Sequence, residues 1–142
     1  MKIASRIILG FLAAIELVVG LWNQYWPESF YENFPTVQLT PPFSEHYARD
    51  FGGATLGIAV VLLIACITGR PSHMIIAGLA YSVFAIPHLV FHALHLEGAT
   101  TGEIVFLLVG NTVTMLLGVL VVVLGVLTMS RDRRRLHDPA LG

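Results

Sequence analysis

Four apolar runs, each long enough to cross a lipid bilayer, constrain this chain more than any other feature. They cover about residues 5–22, 47–68, 74–96 and 103–129. A helix needs roughly 20 predominantly apolar residues to span the hydrocarbon core. Every backbone N–H and C=O must find an internal partner there, and runs of this length provide that as helices. The expected fold is all-α, an integral membrane antiparallel four-helix bundle forming one domain over residues 1–142. Charge content supports this. Only 12% of the residues are charged, against about 25% in an ordinary soluble domain.

The first run, Ile7 to Trp22, follows a short basic segment and is broken only by Glu16. A cleaved secretory signal is disfavoured, because Glu16 interrupts the apolar stretch and no small-x-small cleavage site follows. Residues 23–44 carry Trp26, Phe30, Tyr31, Phe34 and Phe43 among Pro27, Pro35, Pro41 and Pro42. The prolines forbid a long helix, and the aromatic rings suit the headgroup layer. This segment is expected to cap the bundle at the membrane surface, with a helical turn near Pro27 to Asn33. Ser44 is the expected N-cap of the second helix. Gly53 and Gly57 form a small-xxx-small pair that would admit a partner helix. Pro87 should kink the third helix. Gly110, Gly118 and Gly125 offer close-packing points in the fourth. The tail 130–142 is expected to be mobile.

Orientation follows from Lys and Arg. Lys2, Arg6, Arg70, Arg131, Arg133, Arg134 and Arg135 fall on one side of a four-span arrangement. Glu28, Glu32, Glu97 and Glu103 fall on the other, with Arg49 at its edge. The positive-inside rule then makes both termini cytoplasmic. The arginine tail is explained by topology and by attraction to anionic lipid. Nothing in the chain suggests nucleic-acid binding. Cys66 is the single cysteine, which excludes an intramolecular disulfide. It reads as a small residue in an apolar run.

The polar residues within the spans define the candidate site. His88, His92 and His95 recur at i, i+4 and i+7, on one helix face. Glu45, His46, Arg49 and Asp50 open the second helix, with His46 and Asp50 at i, i+4. With the third helix returning by a tight turn at Gly69 to Ser72, both clusters are expected at similar depth near the outer face. Glu16 and Asn111 belong to the same depth. Imidazole and carboxylate together suit a transition metal such as Zn, Cu or Fe. The candidate ligands are His46, Asp50, His88, His92 and His95. Glu16, Glu45, Arg49 and Asn111 would form a polar network around them, with Arg49 paired to Glu16 or Asp50. Three functional classes stay open. One is a metal or redox-associated site, including axial heme ligation or a proton relay. The second is a non-catalytic accessory subunit with a structural polar core, held to a membrane-protein partner or a second copy. The third is a component that binds a quinone or another small ligand. The lipid bilayer is the partner common to all three.

The segments Trp26 to Tyr31, Phe34-Pro35, Pro42 to Gly53 (with Glu45-His46-x-x-Arg49-Asp50) and Pro87-His88-x-x-x-His92 resemble a group of small four-span bacterial proteins. That group is common in actinobacteria and loosely related to the DoxX-like superfamily. The resemblance implies a multi-pass protein of the plasma membrane and no particular reaction. DoxX relatives are associated in name with thiosulfate–quinone chemistry, and no catalytic motif of theirs carries over to the polar positions here.

Overall fold

The computed structural model describes residues 2–40 and 42–137. Those residues form helix α1 (Lys2–Tyr25), a short α2 (Pro27–Asn33), a 3₁₀ turn (Val37–Leu39) and three long helices, α3 (Glu45–Thr68), α4 (Pro71–Leu94) and α5 (Thr101–His137). Among the described residues there is no strand. The helices α1, α3, α4 and α5 are each long and apolar enough to cross a membrane, so the chain is a multi-pass membrane protein with an all-α bundle.

Local chemistry explains where the helices begin and end. Ser44 accepts a hydrogen bond from the Tyr47 amide at the start of α3. Gly69 ends the helix at a φ of 60°, a left-handed conformation that glycine adopts without steric cost. Pro27 and Pro71 occupy first-turn positions, where a missing N–H costs nothing. α5 opens with a capping box. The Glu103 carboxylate accepts from the Thr100 amide at 2.8 Å, and the Thr100 hydroxyl accepts in return from the Glu103 amide. The helical turn expected after Pro27 is α2. Its Phe30 stacks on Phe34 and meets Trp22 edge-on, which folds the segment against the end of α1.

The fourth helix runs past its expected end at Met129. α5 is 37 residues long, about 55 Å at 1.5 Å per residue, and carries its helix through the arginines to His137. Extending an existing helix needs no new nucleus, and Arg and Leu are good helix formers. Residues 138–142, and Pro41, lie outside the described residues.

The helices pack in two antiparallel pairs, α1 with α3 and α4 with α5, and α3 touches α4 less extensively. Glycine sets both seams. An alanine Cβ at Gly52 would lie 2.7 Å from the Gln24 nitrogen and 2.9 Å from the Gly20 carbonyl. An alanine Cβ at Gly78 would lie 2.7 Å from Val122 Cγ2 and 2.9 Å from the Gly118 carbonyl. Gly118 and Gly125 are close-packing points, whereas Gly110 and Gly57 face open space and Gly53 has only the Gln24 side chain near it. The core between the pairs holds Leu9, Leu12, Ala13, Leu62, Ala65, Met74, Ala77, Tyr81, Ala85 and Val121.

Candidate functional site

The polar groups of the bundle follow from the same helical stripes. On α4 the buried positions are Met74, Ala77, Gly78, Tyr81, Ser82 and Ala85. Continuing that stripe by three and seven residues beyond Ala85 reaches His88 and His92. Both histidines are half-buried. The rings form a ladder along the helix. Phe84 stacks on His88 with centroids 5.1 Å apart and planes 26° from parallel. His88 meets His92 edge-on at 4.5 Å. Phe51 of α3 reaches Phe84 at 5.9 Å, which places the ladder along the α3–α4 seam. His95 has left this line: it is exposed, stacks on Phe91 at 4.2 Å and contacts the Phe91 carbonyl through Nδ1 at 2.8 Å.

His46 and Asp50 do not join this ladder. They pair with each other, Nε2 to Oδ2 at 3.3 Å, with side chains 91% and 67% exposed. The reason is angular. The buried face of α3 is Gly52, Thr55, Ala59, Leu62 and Ala65. At about 100° per residue, His46 and Asp50 fall on the opposite side of the helix. Among the described residues no group of three or more His, Cys, Asp or Glu side chains could hold a metal ion. The expected five-residue ligand set therefore separates into an exposed pair on α3, a ring ladder on α4, and His95 apart.

The expected network around it also rearranges. Arg49 pairs with neither Glu16 nor Asp50. Its guanidinium binds Glu45 Oε1 at 2.8 and 2.9 Å and donates to the Gln24 carbonyl at the end of α1. In the antiparallel α1–α3 register Gly20 lies against Gly52, which sets Arg49 level with residue 23. Glu16 is seven residues further along α1, roughly 10 Å away along the axis. Asn111 is half-buried, and its carbonyl accepts from Thr114. It supplies no interhelical side-chain bond among the described residues.

No protein-family model, curated protein or solved structure matches the chain.

Two features were missed at the level of sequence. Tyr81 and Phe84 extend the histidine ladder toward the bundle centre, and their spacing from His88 (i−7 and i−4) was a readable signal. The partition into two helix pairs had a weaker one, the position of Gly20 and Gly52 within α1 and α3.

Proposed function

We propose that this protein is a plasma-membrane component, with both termini cytoplasmic, that binds a lipid-soluble ligand of the quinone class along the outer half of α4. The observation that carries this reading is the pair His88 and His92. Both are half-buried on a line of aromatic rings, and no hydrogen bond ties either imidazole to another group among the described residues. An imidazole N–H can donate to a carbonyl of a planar ligand, and its other nitrogen can accept from a hydroxyl. Phe84 lies against His88 and Phe51 against Phe84, giving the mixture of apolar surface and a few placed polar groups common to small-molecule sites. The charge distribution supports the orientation. Arg6 and Arg70 lie at the bundle end shared with the arginine-rich end of α5, and Glu28, Glu32 and Glu97 lie at the other.

The experiment is extraction of the protein, purified in detergent without a histidine tag, with parallel metal analysis. A quinone that co-purifies with wild type and is depleted in His88→Ala and His92→Ala supports the reading. Stoichiometric transition metal lost in those variants, with no organic ligand, would replace it with the metal-site reading. Absence of both would leave the histidines as packing groups of an accessory subunit.

A further inference from the structure

Glu16 stands alone in the α1 core stripe. That stripe runs through Ser5, Leu9, Leu12, Ala13, Glu16, Gly20 and Asn23, all buried. Glu16 is 4% exposed, and its Oε2 has no hydrogen-bond partner. It is the one buried side-chain oxygen or nitrogen in that state among the described residues. Four other buried polar side chains of the spans serve their own backbones: Asn23 donates to the Val19 carbonyl, Thr55 to Gly52, Ser82 to Gly78, and Thr128 to Leu124.

An ionised carboxylate in such a setting needs a cation or several donors, because an unpaired charge away from water is costly. Neither meets the Oε2 atom among the described residues. Arg49 is committed to Glu45 and Gln24. Every other basic residue lies in the terminal turns of a helix or beyond. α3 contributes no ionisable side chain between Asp50 and Cys66, and α5 none between Glu103 and Arg131. α4 contributes Tyr81, a phenol in the same buried core. His88 and His92 stand two and three turns further along α4, and His73 two turns the other way.

We propose that Glu16 is a proton-binding site at the centre of the membrane bundle, holding its carboxyl as the neutral acid. A proton is the ligand that fits. It removes the charge, turns one carboxyl oxygen into a donor, and needs no space in a core this tightly packed. This inference is independent of the ligand reading on α4.

Infrared spectroscopy of the reconstituted protein at neutral pH tests it. The remaining Asp and Glu side chains in the described residues are not buried, so an unionised-carboxyl band reports Glu16. The expected result is such a band in wild type, moved by exchange into D2O and by ¹³C-carboxyl glutamate, and absent from Glu16→Gln. The isotope label makes the assignment in wild type even where a variant folds poorly. Glu16→Gln, a neutral isostere, should also unfold at the wild-type temperature or above. Absence of the band from folded wild type would overturn the proposal. So would loss of an ionised-carboxylate band in Glu16→Gln accompanied by a lower unfolding temperature.

Discussion

Arg6 and Cys66 hold each other by reciprocal bonds. The Arg6 Nε donates to the Cys66 carbonyl at 2.8 Å, and the Cys66 Sγ donates back to the Arg6 carbonyl at 3.3 Å. Arg6 also donates to the Ile67 carbonyl. These carbonyls belong to the last turn of α3, where helical partners run out and the dipole is negative. Arg49 does the same for α1 through the Gln24 carbonyl. The α1–α3 pair is thus clamped at both ends, each helix supplying an arginine to the C-terminal end of the other.

Removal of either arginine should loosen the pair. Arg6→Ala and Arg49→Ala are each expected to cost about 1.5–3 kcal/mol, the range for a hydrogen bond involving a charged group. Arg6→Lys and Arg49→Lys should recover part of this, since a lysine keeps the charge but loses the fork. Thermal unfolding in detergent reads the order wild type, Lys, Ala. Equal stability in all three would show that the clamps do not hold the helices together.

The glycine seams make opposite forecasts for neighbouring positions. Gly52→Ala drives a Cβ to within 2.7 Å of backbone and should cost about 1–3 kcal/mol. Gly57→Ala meets nothing within 4 Å and should be neutral or gain up to ~1 kcal/mol from helix propensity. Comparison of unfolding temperatures decides. A Gly57→Ala variant as damaged as Gly52→Ala would mean that Gly57 packs against another chain.

His46 and Asp50 should matter little to the fold. An exposed i, i+4 pair contributes only a few tenths of a kcal/mol, and both side chains are largely exposed. His46→Ala, Asp50→Ala and the double variant are expected within ~0.5 kcal/mol of wild type, with ligand binding intact. A collapse of binding in His46→Ala would bring the α3 pair back into the site.

The proposed orientation is checked by cysteine accessibility in a Cys66→Ser background. Thr100→Cys should react with an impermeant maleimide added to intact cells, and Ser130→Cys only after permeabilisation. The reverse pattern would invert the topology.

That there are four helices long and apolar enough to span was legible because hydrocarbon thickness and apolar run length decide it without reference to any neighbour. The caps at Ser44 and Gly69 were legible for a similar reason, since they depend on local backbone chemistry. Pairing between helices was not. Whether Arg49 reaches Glu16 depends on the α1–α3 register, which Gly20 and Gly52 set through backbone contact. The separation of His46 and Asp50 from His88 was partly readable, because the small residues Gly52, Thr55 and Ala59 already marked the opposite face of α3 as the packed one. Depth alone brought the two clusters together, and helix rotation kept them apart.

The most direct measurement is a binding titration of a short-chain quinone analogue to the detergent-purified protein, with wild type beside His88→Ala, His92→Ala and His46→Ala. Saturable binding in wild type and His46→Ala, weakened at least tenfold in His88→Ala and His92→Ala while each variant stays folded, is the expected result. Unchanged binding in folded His88→Ala and His92→Ala, or no saturable binding to wild type, would contradict a ligand site on α4.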